Sequence, residues 1–487
     1  MIEGKRYFFV GIGGSGMMPL AMILAGRGAR VEGSDRSLDA GRVPAKFDAL
    51  RALGIALHPQ DGSGVVSADQ IVVASAAVED SVPDMVAAAR LGCARMTRAE
   101  LNARLFNAAT VSIGVAGTSG KSTVTGMIAW MLHALGREPT VMNGAVMKNF
   151  ATAEAPFASA LVGRGEPWVS NMVEDGRVIA RIEHDDIYVS EVDESDGSIA
   201  LYRPSIAVLN NVSADHKPLP ELRRLFADFI AHDGWTVANA DDAEAVTLVA
   251  ARAPDLLLDY AIDGDAGLVA TALSAEPYAV SFELRDGGMP VGRMRLQVPG
   301  RHNVANALAA LNACVGAAVA TLPELMQALE GYEGLSRRFE LIGQANGVSV
   351  IDDFGHNPDK IAATLATLRA FPGRLLILFQ PHGYGPLRQL RAELAAAFAA
   401  GMADGDLLVL PDPAYFGGTV AREVGSGDLA ADISALGRDA RHIADRAEAA
   451  AVLVTAARPR DRIVVMGARD DTLGMLARQM LADLGKA

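Results

Sequence analysis

The run Gly117-Thr118-Ser119-Gly120-Lys121-Ser122-Thr123 sets a lysine and two hydroxyls directly behind a glycine-rich turn. A loop of this kind curls backbone amides round phosphate oxygens, reaches the β and γ phosphates with its lysine, and offers a hydroxyl to Mg²⁺. Strict G-x-x-x-x-G-K spacing fails by one position, because Val115 stands where the first glycine would be. Further on, Glu191-Val192-Asp193-Glu194-Ser195-Asp196 packs four carboxylates into six residues after an apolar run. Such neighbours repel one another unless a cation or a donor compensates. Hard oxygens of this type suit Mg²⁺, although a solvated acidic loop has the same composition. The phosphate loop upstream needs a metal carboxylate and favours the first reading. Asp215-His216 holds the same position one predicted strand later, with His216 25 residues beyond Glu191.

A second glycine turn, Gly11-Ile12-Gly13-Gly14-Ser15-Gly16, fits G-x-G-x-x-G. Glycines there permit a tight turn and let a diphosphate approach backbone N–H groups at a helix start. Asp35 follows Gly16 by 19 residues, where an acidic side chain reads a ribose hydroxyl in many such folds. This pattern is weak on its own. It admits a nucleotide diphosphate, an NAD-dependent dehydrogenase, or a turn with no ligand. The dehydrogenase reading leaves the phosphate loop, Glu191 and His216 without a purpose.

These residues need strands that end at them and helices that start from them. Strands are predicted at Arg6–Gly11, Ala29–Gly33 and Gln70–Ser75, with helices at Met17–Arg27 and Met85–Leu91. A second unit has strands at Val111–Ala116, Asp186–Glu191 and Ile206–Asn210, a helix from Ser122 to Leu135, and a long Ala/Leu helix within Gly300–Ala317. A third has strands at Val348–Ile351, Arg374–Phe379, Gly405–Leu410 and Asp461–Met466. Strands alternating with helices imply an α/β protein built on parallel, doubly wound sheets. Three units are expected, 1–107, 108–330 and 331–487, in line with about 100–200 residues per domain.

Composition narrows the function classes. The 58 acidic and 44 basic side chains leave a net charge of −14, which repels a nucleic-acid backbone yet allows a local phosphate site. Two cysteines, Cys93 and Cys314, both in segments that read as buried helix, are too few for a disulfide framework or a cysteine-rich zinc site. The uncharged stretch from Tyr7 to Gly26 superficially resembles a signal peptide or a membrane span. Four glycines between Gly11 and Gly16 suit a strand-turn-helix better. A cytoplasmic protein without nucleic-acid or membrane partners is expected, with monomer and homodimer both open.

Taken in order, GIGGSGM, GTSGKST, EVDESD, NNVSADH, GRHNVANALAA, RRFE, DDFGHNP and FQPH resemble the Mur ligase family. The resemblance runs from about residue 6 to the last helix, and the order of blocks is far more specific than any one of them. It implies an N-terminal Rossmann-like domain for a UDP sugar, a central P-loop ATPase-like domain, and a C-terminal Rossmann-like domain for the amino substrate and for closure. Also implied are ATP, Mg²⁺ and an acyl-phosphate route to an amide. By matching, Gly13, Gly14, Ser15 and Gly16 would hold the uridine diphosphate, with Asp35 and Ser75 nearby. Gly117 to Thr123 would cradle ATP, Lys121 pairing with its phosphates and the forming acyl phosphate. His302, Asn303 and Asn306 match the adenine block, Arg338 the arginine on the γ-phosphate, and Asp353 the loop at the ribose. Ser122, Glu191 and His216 match metal ligands. His356, Asn357, His382, Arg388 and Arg469 are the candidates for the amino substrate.

The members nearest in pattern join L-alanine, or a murein tripeptide, to UDP-N-acetylmuramate. In the alanine ligases FQPH usually continues R-Y-T-R-T-R. This chain continues Gly383-Tyr384-Gly385-Pro386-Leu387-Arg388 and so lacks two of three arginines, the natural clamp for a carboxylate. Asp352-Asp353-Phe354 looks more like the tripeptide-ligating relatives. L-Alanine is the first choice of amine, with a peptide or another amino acid as the alternative.

Overall fold

The computed structural model describes residues 2–76, 78–164, 168–174, 177–184, 186–213, 217–414, 422–468 and 470–486. His216 and Arg469, two of the residues expected to do chemistry, lie outside this set. The chain forms two compact units. One comprises Met1–Ser274, Ser281–Gln297 and His302–Gly334, and the other Ala275–Val280, Val298–Arg301 and Leu335–Ala487.

Within the first unit, the residues expected for the UDP sugar build a five-stranded parallel sheet. Its order is Ala56–His58, Arg30–Ser34, Arg6–Val10, Gln70–Ala74, Arg95–Thr97. The apolar strand Arg6–Val10 therefore has a neighbour on each side, and the glycine turn leaves its carboxyl end. That is the topological switch point where open α/β sheets bind ligands. Helix Met17–Gly26 follows, with seven of its ten residues buried. Pro19 is tolerated because it stands in the first turn, where no intrahelical N–H is needed.

A ten-stranded sheet carries the phosphate loop. Its strand Val111–Ala116 lies between Ile187–Glu191 and Ile206–Leu209, parallel to both. Three carboxyl ends thus come side by side: Ala116 before the loop, Glu191 at the acidic run, and Leu209 before Asn210-Asn211. Continuous burial of Val-Ser-Ile-Gly-Val-Ala, apart from a half-buried Val111, is what a central parallel strand requires. The remaining members of this sheet include Leu257–Ile262, Leu268–Glu276, Ala279–Asp286 and Met289–Leu296, none of which the sequence reading anticipated.

The five-stranded and ten-stranded sheets are joined through polar contacts, some half-buried and some buried. Arg27, just past helix Met17–Gly26, donates to Thr140 Oγ1 (2.8 Å) and Asp186 Oδ2 (3.2 Å). Asn102, buried on helix Arg98–Asn107, donates to Ser190 Oγ (3.0 Å) and the Tyr202 hydroxyl (2.8 Å) and accepts from the Tyr188 hydroxyl (2.7 Å). Ser190 is the residue before Glu191, so this network anchors the strand that carries the acidic run.

The second unit holds a six-stranded sheet: Glu340–Ala345, Val348–Asp353, Arg462–Met466, Leu375–Phe379, Leu407–Leu410, Ala440–His442. Its first pair is antiparallel and the other pairs are parallel. At its carboxyl edge Gln380 N donates to Met466 O and Gly467 N to Asp353 O, which gathers three loops.

Strand and helix bounds fall within one or two residues of expectation at most elements. Pro83 rather than Met85 opens its helix, since proline suits the first helical position. Cys93 is a correction. It is buried, but Gly92 at φ +69° ends that helix first, and the thiol donates to Ser67 O (3.3 Å). Cys314 is buried within helix Arg301–Gly316, as read.

Candidate active site

Two glycines set the shape of the phosphate loop. Gly117 has φ +129° and Gly120 φ +87°, both in backbone territory that side chains avoid. A Cβ on Gly120 would also overlap Asn210 Nδ2 and Asn306 Oδ1. The asparagine pair after strand Ile206–Leu209 moulds the loop from below. Asn211 O accepts from Thr118 N (3.1 Å), and its side-chain oxygen accepts from Ser119 N (2.8 Å). Asn210 Nδ2 donates to Ser119 O (3.0 Å) and to Asn306 Oδ1 (2.9 Å), while its oxygen accepts from the buried Tyr260 hydroxyl (2.6 Å). Asn303 Oδ1 accepts from Asn306 Nδ2 (3.2 Å), and His302 is exposed in the first turn of the same helix. Helix Lys121–Ala134 begins at the loop, and its first N–H groups have no intrahelical partner.

Lys121 Nζ donates to Gly117 O (2.7 Å) and pairs with Glu194 Oε2 (2.8 Å). Burial pushes the ammonium down, but Glu194, Asp193 and Glu191 outweigh it and hold it above the ordinary lysine range. Asp193 in turn is lowered, because Lys121 and the donors of Ser195 overcome its burial. Ser122 Oγ donates to Glu191 Oε2 (2.6 Å). A Cβ on Gly144 would collide with the Glu191 carboxylate, so only glycine lets that carboxylate lie where it does. Asn143 Nδ2 donates to Ser122 O (2.9 Å). Thr123 is half-buried on the same helix. Glu194, Asn210, Asn211, Asn143, Gly144 and Tyr260 were not singled out from sequence as site residues. For Glu194 a signal existed in the acidic run, and for the asparagine pair in NNVSADH.

At the other glycine turn, Asp35 accepts from Gly13 N (2.8 Å) and from Ser37 N (2.7 Å). Both of its oxygens therefore clasp backbone, one on the loop itself. Gly14 and Ser15 form the exposed tip, Gly16 is half-buried before helix Met17–Gly26, and Ser75 follows strand Gln70–Ala74.

In the second unit, the Asp353 carboxylate accepts from Phe339 N (3.0 Å) and Thr364 Oγ1 (2.7 Å). Arg338 lies with its guanidinium 4.0 Å from the Phe354 ring centre. Its neighbour Arg337 instead ties loops together, donating to Asp470 O (2.9 Å) and Gly467 O (2.7 Å) and pairing with Asp352 (3.3 Å). Burial pushes Asp352 up to about 6, although Arg337 pulls the other way. His356 and His382 are buried with rings 4.9 Å apart. Burial, helped by Lys360, drives His356 down to about 2, so its ring is neutral. Asn357 caps helix Pro358–Arg369 by accepting from Lys360 N (3.0 Å). Arg388 is exposed on helix Tyr384–Gly401. Arg446 was not expected. It reaches this edge from the start of its own helix, donating to Asp470 Oδ2 (2.7 Å) and Gln380 Oε1 (3.4 Å). No sequence motif marks it.

Among the described residues, no group of three or more His, Cys, Asp or Glu is arranged to hold a metal ion. Likewise among them, no helix is long and apolar enough to cross a membrane.

Three family models match in succession: the Mur ligase family catalytic domain over residues 6–110, the Mur ligase middle domain over 115–314, and the Mur ligase glutamate ligase domain over 337–469. The UDP-N-acetylmuramate–L-alanine ligase of Geobacter sulfurreducens is 32% identical, across 95% of either chain. The chain belongs to the Mur ligase family. The enzyme of the same name from Streptomyces coelicolor is 34% identical, covering 99% of this Mur ligase and 98% of its own length. Among solved structures, the UDP-N-acetylmuramate–alanine ligase of Thermotoga maritima shares the fold at 23% identity, with a TM-score of 0.77 over 98% of both chains. A murein peptide ligase from Psychrobacter arcticus does so at 22% identity and a TM-score of 0.70, over 99% of both. The architecture is thus the three-domain α/β fold of the Mur ligases, as the order of motifs implied.

Proposed function

We propose that this Mur ligase joins L-alanine to the carboxylate of UDP-N-acetylmuramate, at the expense of ATP. The observation that carries this reading is the 32% identity along nearly the whole chain with a UDP-N-acetylmuramate–L-alanine ligase. Its tasks divide along the chain: residues near 1–107 for the UDP sugar, near 108–330 for ATP, and near 331–487 for the amine.

In the first step a carboxylate oxygen attacks the γ-phosphorus, an O–P bond forms, and the P–O bond to ADP breaks. In the second the amine attacks the acyl carbon, phosphate leaves and the nitrogen loses a proton. Bringing a carboxylate to ATP sets anion against anion, so preorganised cations and N–H groups are needed. Lys121, held by Glu194, would be the cation for the transferring phosphoryl group, and the N–H groups opening helix Lys121–Ala134 would meet the phosphates. Arg338 is assigned to the γ-phosphate, Asp353 to the ribose, and His302, Asn303 and Asn306 to adenine. Gly13 to Gly16, Asp35 and Ser75 are assigned to the uridine diphosphate. His356, Asn357, His382 and Arg388 are assigned to the amine, together with Arg469 and the additional Arg446.

Mg²⁺ fits the donors present: the Ser122 hydroxyl and the Glu191 carboxylate are hard oxygens already 2.6 Å apart. Those two would hold it with His216, and when bound it would offset charge on the β and γ phosphates. Both nucleotides are cytoplasmic metabolites, so we assign the reaction to the cytoplasm.

A second reading, a peptide or a different amino acid as acceptor, is favoured by Gly383 and Pro386 standing where alanine ligases carry arginine. Phosphate release with ATP, Mg²⁺ and UDP-N-acetylmuramate, tried against L-alanine, glycine, L-serine and the murein tripeptide, decides between them. Release with L-alanine alone supports the first reading, and release only with the tripeptide supports the second. No release with any amine rejects the muramate assignment.

A further inference from the structure

Arg338 stands between two residues in left-handed backbone, Arg337 at φ +60° and Phe339 at φ +48°. Neither is glycine, and such residues are strained unless their surroundings impose the conformation. Two hydrogen bonds impose it here. Phe354 N donates to Arg337 O (2.7 Å), and Phe339 N donates to Asp353 Oδ1 (3.0 Å). They bracket Arg338 and fasten its turn to the end of strand Val348–Asp353. Strain kept on both sides of one arginine fixes the direction in which its side chain leaves the backbone.

That direction lays the guanidinium on the Phe354 ring, 4.0 Å from its centre, with both side chains half-buried. His356 braces the ring from another side, meeting it at 5.5 Å with the planes at 90°, and His356 in turn abuts His382 at 4.9 Å. Arg337 also lies near this ring, at 5.3 Å, but its charge is committed to buried Asp352. An aromatic face attracts a cation through the ring quadrupole and carries no charge of its own. It therefore orients a guanidinium while leaving the positive charge to act on an anion. A carboxylate in the same place would orient the group and cancel it.

We propose that Phe354 is a positioning residue for phosphoryl transfer, its ring holding the Arg338 guanidinium in the orientation that meets the γ-phosphate. The inference rests on the assignment of Arg338 to that phosphate in the reading above. It differs from a packing role, in which any apolar side chain of similar volume would serve. The test must therefore change the ring's electrons without changing its shape.

Phosphate release is measured for the full-length wild type, Phe354→Leu, Phe354→Tyr and Phe354→pentafluorophenylalanine, with ATP, Mg²⁺, UDP-N-acetylmuramate and the amine that supports release. Fluorination keeps the ring and its burial but withdraws the electron density that attracts a cation. In the leucine and fluorinated variants kcat should fall about 5- to 30-fold, or about 1–2 kcal/mol at 1.4 per tenfold. KM for ATP should stay within about twofold, as expected for a contact that acts in the transition state. Tyrosine keeps the ring face and should remain within about twofold of wild type in kcat. In an Arg338→Ala background Phe354→Leu should slow turnover no further, because the ring acts through the arginine. Wild-type kcat in the fluorinated variant overturns the inference, since shape alone then suffices. So does a Phe354→Leu effect undiminished in the Arg338→Ala background. Should Phe354→Leu fail to fold, the fluorinated and tyrosine variants make the same comparison. Wild-type turnover in Arg338→Ala rejects the assignment of Arg338 itself, and the inference with it.

Discussion

Replacing Gly120 by alanine, alongside Gly136 by alanine, asks whether the phosphate loop owes its shape to the asparagines packed beneath it or to glycine's backbone freedom alone. The two glycines flank helix Lys121–Ala134, with φ of +87° and +71°. Alanine at either position costs about 1–2 kcal/mol of left-handed backbone strain. At Gly136 nothing lies within 4 Å of the added methyl group, so strain is the entire cost. At Gly120 the methyl group would overlap the amide of Asn210 and the side-chain oxygen of Asn306. Moving them breaks Asn210's bonds to Ser119 O and Asn306 and disturbs the one from buried Tyr260. Two to three such bonds at about 0.5–1.5 kcal/mol each add about 1–4.5 kcal/mol at Gly120 alone. That difference falls on the loop that would meet the phosphates, so ATP affinity should drop about 10-fold or more relative to Gly136→Ala. Calorimetric titration with ATP, alongside urea denaturation of both variants, measures it. Equal ATP affinities in the two, within about threefold, would refute the claim that asparagine packing shapes the loop.

Other expectations concern the rest of the molecule. Asn102→Ala leaves the buried hydroxyls of Tyr188 and Tyr202 without their amide partner. It should destabilise the fold by about 3–5 kcal/mol in urea denaturation; a change below about 1 kcal/mol contradicts the network's role. His356 stays neutral in the native state, whereas its unfolded form takes up a proton as pH falls through about 6.5. Its folded value lies below the unfolded one, so stability present above pH 6.5 is lost on acidification, by about 1.4 kcal/mol per pH unit. Urea midpoints between pH 7 and 5 should fall less in His356→Gln than in the wild type; identical slopes would remove this histidine from the account. Lys121→Ala should cut phosphate release by more than about 100-fold, and wild-type turnover would end the assignment of that ammonium to the phosphoryl group. Chelation by EDTA should stop phosphate release and added Mg²⁺ restore it. Glu191→Ala should raise the Mg²⁺ needed for half-maximal rate by at least about 10-fold, and an unchanged requirement would place the metal elsewhere.

Much of the site was legible because its parts are contiguous. The glycine turns, Lys121-Ser122 and the acidic run each depend on neighbours in the chain, and their strand–turn–helix setting follows from apolar runs and glycine spacing. The partners that hold them come from far away. Asn210 lies beneath Ser119 from the next parallel strand, and Glu194 meets Lys121 across 73 residues. In the C-terminal loops the same holds for Arg446, brought beside Gln380 and Asp470 only by sheet order. The unanticipated strands from Leu257 to Leu296 show a different limit. Their alternating, partly exposed pattern was weaker than the buried apolar runs that mark central parallel strands.

By itself, then, the sequence determined the α/β class, the succession of Mur ligase motifs and the chemistry those motifs can carry. These depend on residue type and short spacing, which the chain states directly. Tertiary structure alone decided which charges meet. It put Lys121 against Glu194 and closed both oxygens of Asp35 on backbone. Electrostatics and desolvation act through distance and burial, and neither is a property of position along a chain.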